Sequence, residues 1–571
     1  MTAKNSAHRI AVARGDIPAD LILRGGKVVN VLSGDIYETD IVIVDGVVAA
    51  LGTGYEARQV VDMTGRYICP GFIDAHVHIE SSLCTPPEFA RAVLKGGVTT
   101  VITDPHEIAN VLGLEGIRFM LERAKHGPLN IYVMASSCVP ATHMETSGAR
   151  LEAEDLAQLL GDSWVLGLAE MMNYPGVIYG DPSVLEKLAL FHDRVLDGHS
   201  PAVTGKALNA YVTAGIMSDH ECTTVDEARA KLRLGLTIFI REGTTTKNLR
   251  PLLPLVTPEN YTRFCFCTDD RVPASLLDEG SIDYMVRTAI SEGIDPMTAI
   301  RMATINTANY FRLHDLGAIA PGRRADMVVF SDLHNLRAEQ VYRAGQQIAQ
   351  DGVVLHEKPP MRALDVRASM NVAPHPLDFT IAARGERIRV IGGSDQQVVT
   401  GHLIEDALIV KAQVVADPAR DILKIAVIER HRASGGIGKG FIKGFGLKRG
   451  AIAGSVAHDH HNIVVIGADD ESMRQAVTAV IEMGGGLAAV DMGQVVATLA
   501  LPVAGLMSEQ PLDVVRREYD ALLVAARAMG SLMNDPYMAM SFMALEVIPS
   551  LKLTDIGLVD VERFELVDLF V

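Results

Sequence analysis

Between Leu21 and Ile68 apolar and polar positions alternate over short spans, as in LILRGGKVVNV and IVIVDGVVAALG, with Asp45-Gly46 as a two-residue hairpin turn. This pattern predicts a small all-β unit. From Pro70 the rhythm changes to an apolar strand, a loop and an amphipathic helix, and the unit repeats. The strands are GFIDAHVHIE, TTVITDP, LNIYVMASS, VLGLAEMMN, VLDGHSP, AGIMSDHE, LTIFIREG and YTRFCFCTDD, with helices such as PPEFARAVLKGG, GLEGIRFMLERAKHG and DPSVLEKLALFHDRV between them. Alternation of this kind means parallel strands joined by crossover helices, and eight units in about 250 residues fit a closed (β/α)₈ barrel better than an open sheet. The fifth and sixth strands are short, so seven is the alternative count.

From Gly317 to Val354 the β character returns, in LGAIAPGRRADMVVFSD and VYRAGQQIAQDGVVL. These strands are expected to complete the N-terminal β unit, so that one domain is built from the two flanks of the barrel. Pro359, Pro360, Pro374 and Pro376 then mark a boundary. Beyond it, strands (ILKIAVIER, HNIVVIG) mix with helices (DESMRQAVTAVIEM, PLDVVRREYDALLVAARAMG). The expected fold is α/β: a TIM-like (β/α)₈ barrel over residues 70–315, a composite small β-sandwich from 1–69 and 316–360, and a C-terminal α/β domain over 361–571.

Length and composition agree with several packed cores. The chain has 571 residues, 48% of them hydrophobic and 21% charged. Its 52 Lys+Arg against 70 Asp+Glu give a formal charge of -18, which repels phosphate backbones and anionic membranes. The expected partner is therefore a small molecule, not nucleic acid or a membrane. The N-terminal 20 residues carry no apolar core of a signal peptide, and the most apolar stretch, Met483 to Met507, is interrupted by Asp491, Gln494 and Pro502. Six cysteines without a C-x-x-C point to a reducing cytoplasm.

Chemistry concentrates at the strand ends. His76 and His78 lie two apart at the end of the first barrel strand and so face the same side. Alone, the pair reads equally well as two polar residues. Glu170 ends the fourth strand, His199 the fifth, His220 the sixth and Asp269 the eighth. Active sites of this fold gather at that edge, and imidazoles with two carboxylates are what a two-cation site requires. Without metal, such buried groups would each need a hydrogen-bond partner and the carboxylates a countercharge. His8, His126, His314 and His356 show no such pattern and are expected on the surface.

The runs Pro70 to His78, Thr268-Asp269 and Leu316 to Asp326, with His199 and His220, resemble the amidohydrolase superfamily. Within it, HIESS (His78 to Ser82), TDPHEIANVLG (Thr103 to Gly113), GLAEMMNYPGV (Gly167 to Val177) and FCTDDR (Phe266 to Arg271) resemble the long-chain bacterial adenine deaminases. So does the C-terminal run from His431 to Asn462. The resemblance implies that His76, His78 and Asp269 hold a buried metal, that His199 and His220 hold an outer one, and that Glu170 bridges both. Many relatives carry a carbamylated lysine where Glu170 stands. Implied, too, is attack of a metal-activated water on C6 of adenine to give hypoxanthine and ammonia, as in purine salvage, with Asp269, Glu170 and His220 catalytic. Two divalent cations are implied, Mn²⁺ first and Fe²⁺ or Zn²⁺ as alternatives, as is a homodimer. Substrate contact is expected from Asp270, Glu80, His106, Glu107 and Glu221, at strand ends and mouth loops; the four other than Asp270 are candidates to protonate N1.

Alternatives are another hydrolase of the superfamily (a cyclic amide hydrolase, an amino-sugar deacetylase or another 6-aminopurine deaminase) and a non-catalytic assembly protein. The nucleobase deaminases that bind one zinc through His and two cysteines are excluded, because no P-C-x-x-C follows His78-Ile79-Glu80. Gly435 to Gly440 reads as hairpin turns in preference to a phosphate cradle. His458-Asp459-His460-His461 reads as a cation site or a strand edge, in a domain that helps to close the active site.

Overall fold

The computed structural model describes residues 3–355, 366, 368–395 and 398–571. The expected boundary at Pro359-Pro360, and His356, lie outside the described residues.

Strands from both flanks of the barrel build one nine-stranded sheet. The N-terminal flank supplies Ala19–Asn30, Asp35–Val44, Val47–Leu51, Ala57–Asp62 and Tyr67–Pro70, and the return supplies Met327–Phe330, Gln340–Arg343, Gln346–Gln350 and Val353–Val354. The two sets join where Met327–Phe330 pairs antiparallel with Tyr67–Pro70, Val328 opposite Cys69. A helix, Ala3–Ala13, precedes the sheet and buries Val12 against Val42 and Val44. The hydrophobic pattern gives no sign of this helix, because one apolar contact in three turns leaves little periodicity.

Eight parallel strands follow: Phe72–Val77, Val98–Thr103, Asn130–Ala135, Val165–Met171, Val195–Gly198, Ser218–Asp219, Thr237–Arg241 and Phe264–Cys267. The first five pair in sequence order, as do the last three. The two arcs meet where Met217 N donates to Leu196 O at 3.0 Å and Gly198 N to Ser218 Oγ at 3.2 Å. Gly198 is required there: a Cβ would lie 2.1 Å from Ser218 O. The other seam closes through Asp269 N to His76 O, 3.0 Å, and His78 N to Asp269 O, 3.3 Å. Every second residue of these strands points inward, so Ile73, Ala75, Ile102, Met134, Ala169, Phe239, Cys265 and Cys267 fill the barrel. All six cysteines are buried.

The C-terminal part is built on an eight-stranded, mainly antiparallel sheet, centred on Ile422–Ile428, Ile463–Gly467 and Ala451–Gly454. Alternate residues of one strand face opposite helices. Ala426 and Ile428 pack with Met473 and Val477 of helix Asp470–Glu482, whereas Ile425 and Val427 share a core with Val515 and Leu522 of helix Leu512–Ala528. The glycine run is not a set of hairpin turns: Gly438 and Gly440 lie within strand Ile437–Lys443, paired antiparallel with Val427 and Ile425 of Ile422–Ile428. Gly438 lies where a Cβ would sit 1.9 Å from Thr554 O, so close backbone approach accounts for that glycine. This domain caps the barrel mouth: Leu83, Cys84 and Val272 of the barrel belong to its apolar core, and Thr142 Oγ1 donates to Glu546 Oε1 at 2.6 Å.

Candidate active site

The strand ends converge. His76 Nε2 and His78 Nε2 stand 3.0 Å apart. Asp269 Oδ1 lies 3.5 and 3.1 Å from them, and Glu170 Oε1 3.6 and 3.3 Å. Glu170 Oε2 faces the other pair, 2.7 Å from His199 Nδ1 and 3.2 Å from His220 Nε2. Each carboxylate oxygen of Glu170 thus serves a different pair of histidines. All six residues are buried.

Secondary contacts fix these rings. His78 Nδ1 lies 3.0 Å from Asp104 O, so it carries the proton and leaves Nε2 to face the cluster. Asp74 accepts from Thr268 Oγ1 at 2.5 Å and Thr268 N at 3.1 Å, which ties the first strand to the eighth beneath the strand-end cluster. Asp269 adopts a left-handed φ of 56°, a conformation that Asp tolerates, as the chain turns out of the eighth strand.

The arrangement fits divalent cations. Two imidazole nitrogens 3.0 Å apart, with two carboxylate oxygens beside them, offer more acceptors than donors. Ligand atoms about 2.0–2.2 Å from one ion stand roughly 3–3.6 Å from each other, which is the spacing found here. Burial works against the charge of Asp269, yet Arg241 holds its carboxyl well below the usual range; for Glu170, His220 and His199 do the same against burial.

The residues expected to touch substrate divide into two groups. His106, Glu107, Glu221 and Asp270 line the cavity above the cluster, as do His78, Glu170, His199, His220 and Asp269. His106 Nδ1 lies 3.0 Å from Asp104 Oδ2 and 3.6 Å from Glu170 Oε1. Asp270 Oδ1 accepts from Ser81 Oγ at 2.5 Å. Glu80 does not reach the cavity: it lies under helix His106–Leu112, where Oε1 accepts from Ile108 N at 3.3 Å, and burial pushes its carboxyl up to about 7. His76 sits below the cavity, behind His78.

Other residues of the site are not evident from the strand-end pattern. Arg241, at the end of the seventh strand, donates from Nη1 to Asp269 Oδ2 at 2.9 Å and from Nη2 to Glu221 Oε2 at 3.0 Å. Its signal is a buried cation closing an apolar strand that ends on a carboxylate-rich edge. The C-terminal domain contributes the rest. His458 and His461 both hydrogen-bond Glu107, and Asp459, Phe542, Leu545 and Ile548 line the cavity. The histidine-rich run is therefore part of the site wall and binds a carboxylate of the barrel.

A (β/α)₈ barrel with four histidines, a glutamate and an aspartate converging at its strand ends defines a hydrolase of the amidohydrolase class that uses a divalent metal. Residues 67–356 match the amidohydrolase family, and residues 397–565 match the adenine deaminase C-terminal domain. An adenine deaminase of Desulfatibacillum aliphaticivorans is 51% identical over 565 residues, covering 98% of this chain and 99% of its own. One from Methanothrix thermoacetophila is 48% identical over 566 residues, 98% of this chain and 99% of its own. A solved adenosine deaminase of Xanthomonas campestris with bound zinc covers 60% of this chain and 95% of its own, at 16% identity and a TM-score of 0.46. The chain belongs to the adenine deaminase family.

Proposed function

We infer that the protein hydrolyses adenine to hypoxanthine and ammonia, a reaction of purine salvage. The observation that carries this is similarity to adenine deaminases along nearly the whole chain, 51% identity over 565 residues, with every strand-end donor in place. Neither a cyclic amide hydrolase nor a non-catalytic assembly protein is favoured by these relationships.

His76, His78 and Asp269 would hold one cation, His199 and His220 the other, and Glu170 both. A mixed nitrogen and oxygen donor set suits Mn²⁺, with Fe²⁺ or Zn²⁺ as substitutes. When bound, the cations lower the pKa of a water and so supply a nucleophile at neutral pH. Asp269 accepts the water's proton as C6 becomes tetrahedral and delivers it to the departing amine. Arg241 holds Asp269 Oδ2, which directs Oδ1 toward His76, His78 and the water they would share. His220 and Glu170 orient the ligand cluster. N1 must gain a proton as charge builds on the ring, and His106, Glu107 and Glu221 form the wall that handles it. Asp270 contacts the base beside Asp269, and Glu80 supports the wall from beneath. The apolar residues of the cap exclude bulk water from this chemistry.

A cytoplasmic location accords with six buried cysteines that form no C-x-x-C motif. Among the described residues no helix is long and apolar enough to cross a membrane. A homodimer completes the reading, and light scattering in solution tests it. The activity is tested by ammonia release from adenine with Mn²⁺-loaded protein. Release no faster than from a His76→Ala variant, with metal shown to be bound to the wild type, refutes it.

A further inference from the structure

The cavity has two chemically different halves. The barrel supplies nearly all of its ionisable groups. The C-terminal domain supplies Val398, Phe542, Leu545 and Ile548, to which the barrel adds Met172. A flat heteroaromatic ring needs such an apolar surface, because the metal cluster offers it none. Phe542 is held in place for such a contact, since the His458 ring stacks on it at 4.6 Å between centroids and 13° between planes, and His458 is itself fixed by Glu107.

Asp459 supplies a polar group in the same half. It is 3% exposed and lines the cavity, and its Oδ2 has no hydrogen-bond partner. Among the described lining residues it carries the sole buried polar atom so placed. Its Oδ1 has only His106 Nε2, at 3.6 Å. Two further buried carboxylates, Glu145 and Glu546, lie near enough for the charge of Asp459 to disfavour their ionised forms, and the cation whose charge it favours, His458, is already bound to Glu107. A buried, half-paired carboxylate of this kind calls for an N–H donor.

Distance selects which donor. His106 bridges the two ends of the cavity, with Nδ1 3.6 Å from Glu170 Oε1 and Nε2 3.6 Å from Asp459 Oδ1. Asp459 therefore lies one five-membered ring beyond the ligand cluster. A purine with C6 at the cluster and its long axis alongside His106 would place its five-membered ring toward Asp459. Asp270 accepts from Ser81 Oγ through Oδ1 and keeps its other oxygen for the base beside Asp269, whereas Asp459 Oδ2 is the buried cavity acceptor with no partner.

We propose that Asp459 accepts the imidazole N–H of the purine while Phe542, Leu545 and Ile548 form the wall beside the ring, so that the C-terminal domain selects free bases over N9-substituted purines and nucleosides. The proposal rests on the deaminase reading of the site. Sites that hydrogen-bond a substrate N–H reject analogues lacking it by about 10⁴–10⁵-fold, because the buried group is left unpaired. Either methyl isomer at N7 or N9 removes the single ring N–H of adenine.

The test uses the full-length, Mn²⁺-loaded protein. Binding of hypoxanthine and 9-methylhypoxanthine is measured by calorimetry, and ammonia release from adenine and 9-methyladenine by initial rates. Wild type is expected to bind the methylated product at least ~100-fold more weakly and to turn over the methylated substrate at least ~1000-fold less efficiently. Asp459→Ala should bring both ratios to within about tenfold, with two metals still bound and an unchanged melting temperature. Phe542→Leu should raise KM for adenine about tenfold with little change in kcat. Equal binding of the two products by wild type, or undiminished discrimination in Asp459→Ala, overturns the assignment whether or not ammonia is released. Selective binding without any ammonia release overturns the deaminase reading and leaves Asp459 in place as a base-recognition residue.

Discussion

Glu107 of the barrel hydrogen-bonds Nδ1 of His458, a residue 351 positions further along the chain, and the contact lies buried in the wall of the active site. Burial alone would lower the pKa of His458, but the charge of Glu107 outweighs it and raises the ring to about 9. Glu107 is held well below the usual carboxylate range, against burial, by His458 and His461. A raised histidine contributes stability that is complete below its unfolded value of 6.5 and is lost as pH rises through about 9. The melting temperature of wild type is therefore expected to exceed that of His458→Gln by the most near pH 6, with the gap closing toward pH 10. At its widest the gap should correspond to about 3 kcal/mol, as for breaking a buried pair. A gap independent of pH across that range would show that the pair is not ionic.

Glu170 divides its two oxygens between the histidine pairs, Oε1 3.3 Å from His78 Nε2 and Oε2 2.7 Å from His199 Nδ1. Glu170→Gln keeps the volume and loses the bridging charge. Elemental analysis is expected to find two tightly held metals in wild type and no more than one in the variant. Because a side-chain carboxylate bridges without carbamylation, apo-protein reconstituted in CO₂-free buffer should recover the same activity with or without bicarbonate.

Arg241→Met leaves two carboxylates, the buried Asp269 and the partly buried Glu221, without the cation that pairs them. Loss of about 3–5 kcal/mol is expected in thermal or denaturant unfolding. Misplacement of Asp269 should also lower kcat about 100-fold, with a smaller effect on KM. An unchanged kcat would remove Arg241 from the positioning of Asp269.

Lys231 is fully buried, and its Nζ binds Asp219 Oδ2 at 3.0 Å, Glu227 Oε1 at 2.9 Å and Ser200 O at 2.7 Å. Asp219 also accepts from Ser200 N at 2.9 Å. The network therefore locks the residues next to His199 and His220, on two strands that are individually short. Lys231→Met should weaken metal binding about 10–100-fold, read by competition with a chelator, although no ligand has been changed.

The barrel was legible in the sequence because its signals are local. Apolar strands alternating with amphipathic helices follow from periodicities of two and 3.6. His76, His78, Glu170, His199, His220 and Asp269 could be picked out as candidate metal ligands because each is the polar residue that ends an apolar strand, and strand ends of a parallel barrel share one edge. The β character of the two flanks was legible for the same reason, whereas their joining in one sheet, Val328 opposite Cys69, is a contact between distant segments.

What the periodicities could not carry was contact between distant segments. Nothing near Glu107 indicates that His458 and His461 will hold it, and nothing near Phe542 indicates that it will line a cavity with His78. Those pairings arise only when the C-terminal sheet is laid over the barrel mouth, burying Leu83 and Val272 in its core. Arg241 gains its role from Glu221 and Asp269, which approach it from neighbouring strand ends. The sequence by itself determined the barrel and the set of groups that can bind metal. The tertiary structure decided which domain closes the site and which acceptor meets the far end of the base, because burial and hydrogen-bond partnership are properties of the packed interface.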